Sequence, residues 1–393
     1  MARLPRPPAR SLTDLRGSVR LVVDGVSGVT GIVESMHQRI AQVSPVLGSV
    51  REAPTRGITG LVYRSIRGAT RTVGKGLDAS LAGVQALVQA PPGAGQDQAA
   101  PARDAAVAAL NGVLGDHLER TGNPLAIHMA LRVRGGARSP RVLLLVHGLC
   151  MNEQQWTRGG HDHGLALAAA LGYTAVYVRY NSGRPIWING RELAQQLKQT
   201  IDSWPVPVES ISIIGHSMGG LVARSAVHQA RQAGLAWPDR LRHLVFLGSP
   251  HHGAPLERAG NWLHRGLGVS PYAAPFARLS GLRSAGITDL RHGNLLEADS
   301  AGGRFAQRDT REIVPLPAGV ASYAVAGTLG EGKSHQWLGD GLVPLASALG
   351  RHARPTRDLH IPPSHTWVAR GVNHLDLLSS AAVYQRLRRW LAQ

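Results

Sequence analysis

The stretch Ile211-Ser212-Ile213-Ile214-Gly215-His216-Ser217-Met218-Gly219-Gly220-Leu221-Val222 decides how the rest of the chain is read. A short β-branched run ends in Gly-x-Ser-x-Gly, and an apolar pattern of helical period follows, which is the strand–turn–helix setting of a nucleophile elbow. The serine then sits on a strained turn that lifts its hydroxyl above the sheet. Side chains two positions to either side would collide, so Gly215 and Gly219 are small for steric reasons. The Met218 N–H opens the helix and points at the place where negative charge would collect, at the positive end of the dipole. The competing reading of the same residues is a tight strand–helix turn with an ordinary serine cap.

Working outward, apolar runs alternate with helical patterns. Arg141–Val146, Ala175–Arg179, Ser210–Ile214 and Leu241–Leu247 read as strands buried on both faces. Residues 161–171, 190–203 and 218–233 read as the helices between them. Ser322–Ala326 restarts the sheet, Arg357–Ile361 reads as its last strand, and a helix over 375–391 closes the chain. Ile127–Val133 alternates like an early strand. The pattern predicts an α/β protein with a doubly wound, mostly parallel sheet, whose chemistry belongs at the carboxyl ends of the strands.

The motifs fall at those ends: Val146-His147-Gly148-Leu149, Gly215-His216-Ser217-Met218-Gly219, Gly248-Ser249-Pro250-His251-His252-Gly253, Gly339-Asp340-Gly341-Leu342-Val343-Pro344 and Asn373-His374-Leu375-Asp376. With them the sequence, from about residue 124 onward, resembles the α/β-hydrolase superfamily, nearest to bacterial lipases and the GPI inositol-deacylase-like serine esterases. The resemblance implies an α/β-hydrolase fold and a Ser-Asp-His order of catalytic residues. Ser217 would be the nucleophile, Asp340 the orienting acid and His374 the base, since a serine hydroxyl needs a base within reach and the base an acid behind it. Met218 N–H supplies one oxyanion donor, and the His-Gly-x loop supplies the other from Leu149, with Cys150 the alternative. His216 adjoins the nucleophile and reads as a packing residue or as part of the substrate site. His251 is placed at the pocket by its position after a strand end.

Among the 18 histidines, His352 and His365 lie off the expected loop, and Asp358 falls inside the expected last strand. Asp289, Asp299 and Asp309 fall in the span 250–319, where strand and helix periodicity lapses. In enzymes that this chain resembles, an insertion here forms a lid. Its Trp262 and the run Pro271–Phe276 then read as an apolar surface for substrate. No cofactor is expected and no catalytic metal. A structural calcium ion near Asp376 is suggested only by the resemblance to some lipases, and the competing reading is an aspartate favoured by a helix dipole.

The formal net charge of +18 is carried almost wholly by arginine, the only lysines being Lys75, Lys198 and Lys333. The arginines are scattered without interleaved aromatics, which argues against a nucleic-acid groove. The single cysteine, Cys150, forms no intramolecular disulfide and reads as a loop residue. No apolar run of spanning length and no signal-peptide pattern is seen, so a cytoplasmic protein is expected, with attachment to a membrane surface an open alternative.

Residues 1–18 are rich in Pro and Arg and read as disordered. Over 19–90 a helical hairpin is expected. Val22, Val26, Val29, Val33, Met36, Ile40 and Val43 form a heptad-like seam, and Val62, Ile66, Ala69, Val73 and Leu77 form a second apolar face. Arg64, Arg67, Arg71 and Lys75 line the opposite face of the second helix. That basic helix packs with its neighbour, oligomerises, or meets an anionic membrane or lipid surface. Residues 91–103 read as a linker, Asp104 as the cap of the next helix, and 104–393 as the hydrolase-like domain.

The function expected is hydrolysis of carboxylic esters, lipid-like ones in particular, through an acyl-enzyme. The alternatives are a thioesterase, an acyltransferase or a polyester depolymerase on the same triad and, in another class, a non-catalytic lipid-surface binding protein.

Overall fold

The computed structural model describes residues 96–136, 138–254, 284–300, 309–330 and 339–393. Seven strands form one sheet: β1 (Ala130–Arg134), β2 (Arg141–Val146), β5 (Thr174–Arg179), β6 (Ser210–His216), β7 (Leu241–Leu247), β8 (Ala321–Thr328) and β9 (Thr366–Arg370). A two-residue hairpin, β3 (Thr157–Arg158) and β4 (His161–Asp162), stands apart. The sheet order is β1-β5-β2-β6-β7-β8-β9, with β1 antiparallel to β5 and every other pairing parallel.

Period two explains why the central strands are apolar throughout. In β2, Val142, Leu144 and Val146 face one core, and Leu143 and Leu145 face the other. The first core is covered by α1 (Gln96–Arg120), α3 (Ile186–Asp202) and α4 (Met218–Gln232); α2 (His163–Leu171) and α7 (Ala381–Leu391) cover the second. Two short helices, α5 (Ala285–Asp289) and α6 (Leu345–Ala348), lie in the later loops. All five apolar side chains of β2 are fully buried, and each contributes roughly 1.5–3 kcal/mol by leaving water. The doubly wound sheet expected from the sequence is the one found.

Three expectations are corrected. The last strand is β9, not 357–361. Asp358 instead accepts from the N–H groups of His352 (3.1 Å) and His360 (2.7 Å), and His360 has φ +52°, a turn rather than a strand. The stretch 96–103 is helical rather than linker, because α1 already begins at Gln96. Asp104 therefore caps nothing; it reaches across to Arg179 (3.4 Å) and Gln154 (3.1 Å) and docks α1 on the sheet. The expected lid over 250–319 includes 255–283 and 301–308, which lie outside the described residues together with Trp262. Its other portions are body rather than cap: Ile287, Leu290, Leu295 and Val314 are buried in the first core. Asp289 accepts from Ile186 N–H at the start of α3 (2.8 Å). The readings made for residues 1–90 also lie outside the described residues. Among the described residues, no helix is long and apolar enough to cross a membrane.

Candidate active site

The elbow is built as its residues require. Ser217, between β6 and α4, has φ +54° and ψ −125°, a conformation that L residues rarely adopt and that costs of order 1–3 kcal/mol. A Cβ on Gly215 would stand 2.5 Å from the Gly220 backbone, and one on Gly219 would stand 2.2 Å from the Val146 carbonyl oxygen. Ser217 N–H donates to Leu247 O (2.8 Å), which ties the serine to the end of β7.

Beyond β7 the chain turns at Gly248 (φ +60°), and here Asp340 and His374 converge. A Cβ on Gly248 would lie 3.0 Å from Asp340 Oδ2 and 3.1 Å from His374 Nδ1. The two side chains are joined directly: His374 Nδ1 donates to Asp340 Oδ2 at 2.7 Å, both residues being buried. The other oxygen, Oδ1, accepts from the N–H groups of Leu342 (3.0 Å) and Val343 (2.9 Å). His374 N–H donates to Asp340 O (3.2 Å). The tight Gly339-Asp340-Gly341 turn, with φ +57° and +95° at its glycines, lets one carboxylate collect these donors.

The structure thus brings together two of the three residues expected to cooperate, and ties the third, through its N–H, to Leu247 next to Gly248. Ser217 Oγ is buried and makes no hydrogen bond within the described residues, so its hydroxyl is not closed onto the imidazole. Such contacts commonly tighten only when substrate is present.

His216 lies under this arrangement. Its Nε2 donates to the carbonyl oxygen of His374 (3.0 Å), and the two rings are 4.7 Å apart. Burial, reinforced by His374, holds its pKa well below the usual histidine range, so it is neutral, with its proton on Nε2. The residue is fully buried and positions His374 rather than lining a substrate surface. His251 is also fully buried, edge-on to Phe246 and against Arg224, and presents no surface to a substrate at Ser217. Both substrate-site expectations are corrected in this way.

The His147-Gly148-Leu149 loop packs on the elbow. A Cβ on Gly148 would be 3.0 Å from Ser217 Cβ, so only glycine admits this approach. The Cys150 N–H is occupied by Ser182 Oγ (3.0 Å). Met218, at the first position of α4, has an N–H with no acceptor within the helix. Tyr180 Oη donates to His147 O (2.7 Å), and its ring stacks on the His147 ring at 4.2 Å. Burial drives His147 down to about 3, so this ring is an uncharged spacer. Burial pushes the Cys150 thiol up to about 12, which makes it no nucleophile. Tyr180 and Ser182 were missed in the sequence. Their one signal is their place directly after β5, at the carboxyl edge where functional loops gather.

Strand order, crossed elbow and the acid–base pair beyond β8 and β9 settle the architecture. The chain has an α/β-hydrolase fold. Residues 138–299 of the chain match the family model described as the PGAP1-like alpha/beta domain. A lipase of Bacillus licheniformis, BlEst2 in mature form, is 18% identical over 66% of this chain and 98% of its own, with a TM-score of 0.43. A lipase-esterase related protein from Clostridium acetobutylicum is 14% identical over 67% of this chain and 99% of its own, with a TM-score of 0.39. An esterase of Pyrobaculum calidifontis is 15% identical over 74% and 88%, with a TM-score of 0.36. No curated protein sequence matches the chain significantly.

The residues around Asp376 do not suit calcium. Its carboxylate is shared by Arg158 (3.3 Å) and the Asn373 amide. Among the described residues no group of three or more His, Cys, Asp or Glu side chains is gathered to hold an ion.

Proposed function

We propose that the protein is a serine hydrolase of carboxylic esters, acting through Ser217, His374 and Asp340. The observation that carries this reading is the buried 2.7 Å His374–Asp340 pair, set on the same Gly248 turn that anchors the strained serine. With Nδ1 engaged by Asp340, Nε2 is the nitrogen that takes the serine proton as Oγ attacks the acyl carbon. The charged imidazole is stabilised by a carboxylate already held by two amides. The N–H groups of Met218 and Leu149 receive the negative oxygen, and each such donor contributes about 3–4 kcal/mol to the transition state. His374 then returns the proton to the leaving alcohol. Water, activated by the same nitrogen, cleaves the acyl-enzyme, and the serine regains its proton. The apolar residues Trp262 and Pro271–Phe276 support lipid-like acyl groups as substrates.

Fluorophosphonate labelling tests the reading. The wild-type protein should be labelled once, at Ser217, and Ser217→Ala should not be labelled. A series of p-nitrophenyl esters should then show kcat/KM rising from acetate toward longer acyl chains. An unlabelled wild-type protein would remove the catalytic reading; a flat or falling series would remove the lipid-like substrate and keep the esterase.

A further inference from the structure

Seven residues beyond Ser217 on the same helix, α4 carries a second arginine-centred feature that ester hydrolysis does not use. Arg224 is 5% exposed. Its Nη2 donates to Val314 O (2.6 Å) and its Nη1 to His251 Nδ1 (3.3 Å), while its Nε–H has no acceptor among the described residues. No carboxylate pairs with it among the described residues. Burial, and then the nearby Arg311, lower its pKa to about 9, the mark of a cation held without compensation. A lone buried charge is costly, and structures keep one only where something answers it.

The surroundings add donors, not acceptors. Arg224 lines a small open cleft with Arg311, Arg357, His251 and His252. Because guanidinium only donates, His251 Nδ1 must accept from Arg224, which puts the His251 proton on Nε2. That Nε2 is likewise buried and has no acceptor among the described residues. Arg311 is committed to His251 O (2.7 Å) and His252 Nδ1 (3.0 Å) and pairs with Asp309 (3.2 Å), and Arg357 pairs with the same Asp309. One aspartate thus serves two guanidinium groups and leaves the third. The other acid at the cleft, Glu312, is exposed and forms no ion pair with any of the three. Ile313, an exposed aliphatic residue, and Leu359 form an apolar rim.

We propose that this cleft binds a phosphate-type oxyanion, received by the Arg224 guanidinium and the His251 Nε2–H beside the Arg311 and Arg357 charges. The site is separate from the serine chemistry: seven residues of helix set it ~10 Å from Ser217 along the axis of α4. A phosphate group fits because it brings a charge near −2 and several acceptor oxygens to the donors of Arg224 and His251, which Asp309, paired with Arg311 and Arg357, and the cleft acid Glu312 leave unfilled. The phosphate is either free or the head group of an anionic lipid whose chain would lie on the Ile313 rim.

Calorimetric titration of the full chain with inorganic phosphate, at ionic strength fixed with chloride, decides the matter. The wild-type protein should bind with a dissociation constant of about 1 mM or tighter. Ser217→Ala should bind equally well, which separates this site from the proposed catalytic one. Arg224→Gln, shown to be folded by circular dichroism, should bind about tenfold more weakly or worse, the scale of a lost charge-assisted hydrogen bond. In the wild-type protein, the arginine Nε–H NMR signal assigned to Arg224 should shift as phosphate is added, so the result does not depend on the variant folding. Absence of phosphate heat beyond the chloride control, equal affinity in folded Arg224→Gln, or an unmoved Arg224 signal would each overturn the proposal. Monomeric dihexanoyl phosphatidic acid distinguishes the sources. Tighter binding than phosphate, lost in Ile313→Ser, assigns a lipid head group; equal or weaker binding assigns free phosphate.

Discussion

Helix α4 joins two places that treat charge in opposite ways. At its first turn, the Asp340 carboxylate is met by two backbone amides and an imidazole, and the imidazole is steadied through its own carbonyl by His216. Two turns later, a guanidinium of similar burial has a carbonyl and a neutral histidine for company, with no carboxylate. The first place is preorganised around a negative charge held against a neighbouring imidazole. The second is preorganised around a positive charge and vacant donors. One suits proton transfer, the other ion capture, and the same physical cost of burying charge explains why each is built as it is.

If the first place is a catalytic centre, the largest effect belongs to Ser217→Ala. It should lower kcat for a p-nitrophenyl ester by about a millionfold, as when a nucleophile is removed from an intact triad. Steady-state assay at matched protein concentration checks it, and activity within a hundredfold of wild type would break the contrast with the Arg224 cleft. Next in size, Asp340→Asn preserves shape but cannot hold the tautomer that leaves Nε2 free to accept a proton. It should cost about 10⁴ in kcat with little change in KM. Because Oδ1 can still accept from Leu342 and Val343 N–H, the melting temperature should move little, and a thermal scan separates a chemical from a folding defect.

A smaller effect is expected of His216, which touches the base only through the His374 carbonyl. His216→Phe keeps a ring in the buried space but deletes the donor to that oxygen. Misplacing a base by a fraction of an ångström costs up to about a hundredfold, so kcat should fall about tenfold to a hundredfold. KM should hold, and the fluorophosphonate should still label the serine, more slowly. Loss of labelling altogether would mean that His216 does more than hold a neighbour in place.

Much of this was legible in the sequence, and the limits have physical reasons. The strands β2, β6 and β7 announce themselves because burial on both faces leaves no room for polar alternation, and Gly215 and Gly219 because no other residue fits at the elbow. Asp340 and His374 were readable from the loops that carry them. The edge strand β9 was not. Thr366, Trp367 and Val368 are only partly covered, so the run lacks the apolar signature, while Leu359 and Ile361 mimic it in a turn. Asp104 looked like a cap because a cap and a helix-to-sheet anchor use the same side chain; only Arg179, 75 residues away, tells them apart. His251 and Arg224 were unreadable for a related reason. A strand-end histidine suggests a pocket and a helix arginine suggests a solvated face, whereas here the two bury each other.

The smallest effect belongs to Arg224, and its size is what sharpens the comparison. Removing a partner from a satisfied ion pair leaves an orphaned charge and destabilises by about 3–5 kcal/mol. Arg224 has no such partner to orphan, so Arg224→Met removes the burial cost of the cation along with the charge. What is lost is the donor to Val314 O, about 1 kcal/mol, and the contact with His251. In phosphate-free buffer the two contributions oppose each other, so urea unfolding should place Arg224→Met within about 1 kcal/mol of wild type, on either side. Added phosphate should then stabilise the wild-type protein and not the variant, since a ligand at free concentration c that binds only the folded state raises stability by RT ln(1 + c/Kd). A large loss of stability without phosphate would show that the guanidinium is a structural strut, and the two ends of α4 would no longer stand in contrast.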